Sequence, residues 1–99
     1  MDKLTSAQRK WLRGMAHPLQ PIVRLGKQGL TDAVIRQIDE ALDAHELIKV
    51  QIPVPREEKA ALAEEIQERT RSQSAGLVGH VLILYRENRD PEKRYIELP

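Results

Sequence analysis

The chain has 99 residues and no cysteine, which fits one domain without disulfides, thiolate metal sites or a cysteine nucleophile and suits a reducing compartment. No apolar run approaches the roughly 20 residues of a membrane-spanning helix, and Met1-Asp2-Lys3-Leu4-Thr5 lacks the apolar stretch of a signal peptide, so a cytoplasmic protein of bacterial type is the expectation. The net charge of +1 conceals a dipolar chain, because residues 1–30 hold six Lys/Arg against one Asp, whereas residues 31–70 hold five Lys/Arg against ten Asp/Glu. Such asymmetry reads as a basic contact surface with an acidic remainder.

Thr5 or Ser6 can cap a first helix reaching about His17, with Ala7, Trp11, Leu12 and Met15 as its apolar stripe. Arg9, Lys10 and Arg13 fall off that stripe and give the helix a basic face. Pro18 ends it, and Pro18 with Pro21 stiffens the approach to a short strand, Ile22 to Leu25. There follows Gly26-Lys27-Gln28-Gly29, two glycines three apart around a cation. Thr31 caps a second helix running to about Ala44, with Leu30 and Ile35 spaced as a hydrophobic staple. Val34, Ile38, Ala41 and Leu42 face the core, and Asp32, Asp39, Glu40 and Asp43 make the outer face acidic.

Leu47 to Ile52 alternates as a half-buried strand. Pro53-Val54-Pro55 then leads into a third helix, about Arg56 to Arg69, with Leu62, Ala63 and Ile66 inward and Glu57, Glu58, Glu64, Glu65 and Glu68 outward. Ser72 to Gly76 reads as a loop leading to Leu77-Val78, and Gly79-His80 as a turn. The unbroken run Val81 to Tyr85 reads as a central strand covered on both faces. Arg86 to Lys93 is charged and turn-rich, and Tyr95-Ile96-Glu97-Leu98 reads as a short edge strand. The order α-β-α-β-α-β-β predicts one α/β domain over residues 1–99 (an α+β, two-layer arrangement): a mixed four-stranded sheet with helices, parallel where strand–helix–strand crossovers join its strands. The leading helix can cover the other face, which would account for the double-sided burial of the last long strand.

Catalytic constellations are not apparent. His17, His45 and His80 lie in three elements without a local ligand partner, and His17 and His45 suit helix C-termini better than a metal. Ser6, Ser72 and Ser74 have no adjacent base, and Glu57-Glu58 and Glu64-Glu65 read as solvated helix surface. Neither phosphate-binding glycine signature, G-x-x-x-x-G-K-[ST] or G-x-G-x-x-G, is present. The expectation is a monomer that is not an enzyme and needs no metal, cofactor or small-molecule substrate.

RNA is the expected partner. Glycines without Cβ atoms let a ligand approach bare backbone, and Lys27 puts a cation at the tip of the loop. Arg9, Lys10, Arg13 and Arg24 could line one surface with it, clamping phosphates as glycine-flanked loops do in KH modules. Trp11 reads as core, and without phenylalanine there is no aromatic stacking sheet, so recognition is of backbone and shape. Asp32 would repel a phosphate set directly on the second helix's N-terminus and moves the contact towards Lys27 and the loop. Two alternatives stand beside this: an ordinary strand-to-helix turn with Gly29 at positive φ, and a protein–protein adaptor using the acidic faces of helices two and three.

Three ordered blocks carry a resemblance: Ala16-His17-Pro18-Leu19-Gln20-Pro21, then Gly26-Lys27-Gln28-Gly29-Leu30-Thr31, then His45-Glu46-Leu47-Ile48-Lys49-Val50, with Val81-Leu82-Ile83-Leu84-Tyr85-Arg86 closing the series. Together they resemble the CRM domain family (chloroplast RNA splicing and ribosome maturation), above all its stand-alone bacterial YhbY-like members. The resemblance implies an α/β fold similar to the C-terminal domain of translation initiation factor three, with RNA as partner. It associates the bacterial members with precursors of the large ribosomal subunit and the plant relatives with intron splicing. The family's glycine loop falls on Gly26, Lys27, Gln28 and Gly29. The implied role is assistance in ribosome assembly.

Overall fold

A computed structural model describes residues 2–99. Its elements are α1 (Ser6–Ala16), β1 (Val23–Arg24), α2 (Asp32–His45), β2 (Leu47–Gln51), α3 (Arg56–Thr70), β3 (Gln73–Val78), β4 (Val81–Tyr85) and a 3-10 turn at Pro91–Lys93. The sheet order is β1-β2-β4-β3, with β1 parallel to β2 and the other neighbours antiparallel. The mixed four-stranded sheet expected from the sequence is therefore present.

Helix α1 begins on a capping box, in which Thr5 Oγ1 accepts from Gln8 N and Gln8 Oε1 accepts from Thr5 N, each at 3.0 Å. Its buried residues are Leu12 and Ala16, while Ala7 and Met15 of the expected stripe are exposed. The core face is thus turned towards the arginines, and half-buried Arg9 and exposed Arg13 both reach back to backbone oxygens. Arg13 Nη1 donates to Ala75 O at 2.7 Å, and its stem crosses Gly76, where a Cβ would meet Arg13 Cδ at 2.7 Å. Lys49 of β2 closes the far end of α1, donating to His17 O and Leu19 O at 3.2 and 3.0 Å.

Two expectations from the sequence need correction. Residues 73–76 are strand, not loop: β3 runs along β4 with a bulge between Ser74 and Gly76. Gln, Ser and Gly are poor strand formers, but the open ladder edge of β4 overrides local preference. Residues 95–98 form no strand. The N–H groups of Tyr95 and Ile96 go instead to a carboxylate, Oε1 of Glu46, at 2.6 and 3.2 Å.

Strand β4 lies inside the sheet and is apolar on both faces. Leu82 and Leu84 join Ile48, Val50, Ile38, Leu42 and Ile66 beneath α2 and α3. Ile83 and Tyr85 join Leu12, Ala16, Leu47 and Ala75 beneath α1, with Ile96 of the C-terminal segment closing that side. A leading helix on the second face is what the unbroken run required.

Glu46, fully buried, ends α2 with φ 62°. Its Oε2 accepts from Asn88 N at 2.7 Å, and its own carbonyl accepts from Arg86 N at 2.9 Å. One carboxylate therefore gathers three backbone donors of the C-terminal segment, which compensates for burying its charge. Replacing Glu46 by Ala would orphan those donors, so Glu46→Ala is expected to cost about 3–5 kcal/mol in urea unfolding. A loss under about 1 kcal/mol would show the clamp to be incidental.

Tyr85 supplies a second test. Its hydroxyl is buried with no protein hydrogen-bond partner among the described residues. Burial, reinforced by the carboxylates of Glu46 and Glu87, pushes its phenol from 10.0 up to about 12. The unfolded chain ionises first, so the folded state loses stability as pH rises from 10 towards 12. Tyr85→Phe is expected to match or exceed the native stability at pH 7 by up to about 1 kcal/mol. It should also flatten the alkaline decline; an unchanged decline in pH-dependent unfolding would contradict this.

Candidate nucleic-acid interface

The glycine loop follows directly from the edge strand β1. Ile22 N donates to Lys49 O and Leu25 N to Gln51 O, at 3.1 and 3.0 Å, so backbone pairing with β2 runs to the residue before Gly26. Gly29 N then donates to Gly26 O at 3.0 Å, closing a four-residue turn with Lys27 and Gln28 at its tip. Gly29 holds φ at 74°, the left-handed conformation that glycine takes without strain. A Cβ on Gly26 would meet nothing within 4 Å, and this glycine has no positive φ to explain it. Gly26 therefore leaves open space where Gly29 satisfies the turn.

Among the described residues, no intramolecular hydrogen bond uses the N–H of Lys27 or Gln28, and both side chains are exposed. Thr31 caps α2 by accepting from Val34 N at 3.2 Å, as the sequence predicts. Leu30 and Val34 pack on the core beneath α2 and hold the loop to the domain. Asp32 is drawn sideways: Arg69 Nη2 of α3 reaches its Oδ1 at 2.8 Å, in a pair that is largely exposed and so worth little stability. The carboxylate placed to repel a phosphate at this helix end is thereby partly neutralised by an arginine from another helix.

The other predicted cations divide. Arg24 stands exposed on β1 between buried Val23 and Leu25, with a 3.5 Å contact to Gln51 Oε1, so it shares the loop's edge of the sheet. Arg9 and Arg13 belong to α1, which lies across β2, β4 and β3 on the opposite face. Their guanidinium groups reach Leu4 O at 3.1 Å and Ala75 O at 2.7 Å, near the β3 edge. Lys10 is exposed beside half-buried Trp11. The eight predicted residues do not share one surface: five stand at the β1 edge, and three ride on α1.

Sequence reasoning missed where the acidic face of α2 goes. Arg86, just past β4, donates to Asp39 Oδ1 at 2.8 Å and to Asp43 Oδ1 at 3.0 Å. It also donates to Thr70 O at the end of α3 and to Asp39 O. Two of the four outer acids of α2 are thus spent on one arginine, and Asp32 on another. The charge pattern alone carries no signal of this, because Arg86 lies 43 residues beyond Asp43. Among the described residues no group of three or more His, Cys, Asp or Glu is placed to hold a metal, and no helix is long and apolar enough to cross a membrane.

Comparison with known proteins shows what the chain is similar to. The chain is 40% identical over 100 residues to an "RNA-binding protein" of Haemophilus influenzae, covering all of this chain and 98% of that one. It is 44% identical over 97 residues to "Probable RNA-binding protein YqeI" of Bacillus subtilis, covering 97% and 99%. The solution structure of SAV1595 from Staphylococcus aureus superposes with a TM-score of 0.83 at 38% identity, over 98% of this chain and all of that one. The family model described as the CRS1 / YhbY (CRM) domain matches residues 4–86, and the chain belongs to that family.

Proposed function

We propose that the protein binds RNA through the backbone of its glycine loop and assists assembly of the large ribosomal subunit in the cytoplasm, acting as a monomer and without catalysis. The observation that carries this reading is the turn at Gly26–Gly29: two N–H groups without internal partners among the described residues, one lysine at the tip and open space beside Gly26. A phosphate placed there meets donors and positive charge without crossing a side chain. Arg24 extends the contact along the strand that leads into the loop. The names of the relatives support RNA as the partner class. The adaptor alternative loses part of its α2 face, because Asp32, Asp39 and Asp43 are engaged with arginines of the same chain, and keeps the exposed glutamates of α3.

The test separates Gly26 from Gly29. Gly26→Asp adds a carboxylate in open space, so binding to large-subunit ribosomal RNA fragments is expected to weaken about tenfold or more while thermal melting stays within about 2 °C. Gly29→Ala places a Cβ at positive φ and is expected to cost about 1 kcal/mol of stability. Wild-type affinity should fall steeply between low and moderate salt. Flat, weak binding at every salt would overturn RNA as the ligand. Co-migration with large-subunit precursors in a gradient supports the assembly role, and recovery only at the top of the gradient contradicts it.

A further inference from the structure

A second cluster of cations lies across the sheet from the glycine loop, and of its members the sequence singles out Arg9 alone. A cleft of about 430 Å3 opens where the N-terminal segment, the end of α3 and the start of β3 meet. Lys3, Arg9 and Arg71 line it together with Gln67, Ser72, Gln73 and Ser74, without a carboxylate among the lining side chains. The fold fixes the backbone that carries each cation. Gln73 ties down the N-terminal segment, accepting from Leu4 N at 2.6 Å and donating to Asp2 O at 2.8 Å, and so sets Lys3 at the rim. Arg9 spends its bonds on neutral oxygens, Leu4 O and Ser6 Oγ, and keeps its charge uncompensated. Lys3 and Arg71 have no side-chain hydrogen bond or ion pair among the described residues.

Arg71 is the informative one. It is the left-handed cap of α3, with φ 54° and ψ 39°, its N–H donating to Gln67 O. Glycine is the usual occupant of such a position because any Cβ there is strained. Arg71 bears this strain without a side-chain hydrogen bond or ion pair among the described residues; its exposed side chain, which also borders a depression lined by Asp39, Asp43 and Asp90, is free to meet a partner outside the fold.

Resting on the RNA reading above, we propose that this cleft is a second phosphate-binding site for the same RNA. Its position defines what can occupy both sites. Gly26 lies beyond the Arg24–Gln51 end of the sheet at the β1 edge, whereas Gln73 pairs with Tyr85 and so with the Leu47 end, at the β3 edge. Three interstrand gaps and the length of β2 put the two sites roughly 20–25 Å apart, at diagonal corners of the sheet. A folded RNA that offers two separate stretches of backbone can touch both; a contact on one short strand reaches only one.

The experiment measures binding of a labelled large-subunit ribosomal RNA fragment across a salt series, with Arg71→Gly, Lys3→Gln, their combination and Lys27→Gln. The combination is expected to weaken binding about tenfold and to lower the salt slope by about 2, roughly 0.9 for each phosphate that is no longer neutralised. Arg71→Gly should melt at or above the native temperature, since glycine relieves the cap, so weaker binding in that variant is not a folding defect. Effects at Lys27 and at the cleft should add in log affinity, as for distant sites. Unchanged affinity and slope in the cleft variants, with Lys27→Gln still weakening binding, overturns the second site and leaves the loop reading intact. Failure of the wild-type protein to bind the RNA at all overturns both.

Discussion

Everything in this domain is arranged around the requirement that β4 be dry on both sides. A strand reading Val-Leu-Ile-Leu-Tyr cannot present either face to water, so it must lie inside the sheet and be covered twice. The α2–α3 pair covers one face, as strand–helix crossovers do. The other face is closed by α1 and the C-terminal segment, with Leu4, Leu12, Ala16 and Ile96 completing the seal. Burying Leu12 at the sheet turns Arg9 and Arg13 towards β3 instead of leaving them beside the glycine loop. The distribution of positive charge is thus a by-product of how the core is covered.

That by-product decides which charges are available to a polyanion. Arg86, Arg69 and Arg13 are occupied in holding helices and strands together. Among the exposed cations without an ion pair in the described residues, Arg24, Lys27, Lys3 and Arg71 fall at two edges of the sheet. A count of Lys and Arg along the sequence cannot separate these two kinds of cation. Long-range partners decide the matter, and Arg86 finds its acids more than forty residues earlier in the chain.

What can be read from the sequence follows the same division. Local signals suffice for the Thr5 and Thr31 caps, the Pro18 stop, the alternation in β2 and the positive φ at Gly29, because each depends on neighbours within a turn or two. The loop itself is legible for that reason. Gln73–Gly76 misleads because its residues favour irregular chain, and only the vacant edge of β4 makes a strand of them. Tyr95–Leu98 misleads in the other direction, since its alternating pattern suits a strand while its N–H groups are claimed by Glu46. Glu46 stands out only as part of a family-like block, with no local hint that it would be buried.

The Glu46 clamp also bears on the order in which the chain can become native. Its carboxylate must leave water for the core to close, yet the donors that make this tolerable are at residues 88, 95 and 96. During synthesis from the N-terminus, α1, α2 and β2 exist before any of them. Until residue 96 is available, burying that charge would be strongly opposed, and the face of the sheet under α1 lacks Ile96. The domain is therefore built to commit late: its helices can form as they emerge, but the final packed state waits for residue 96.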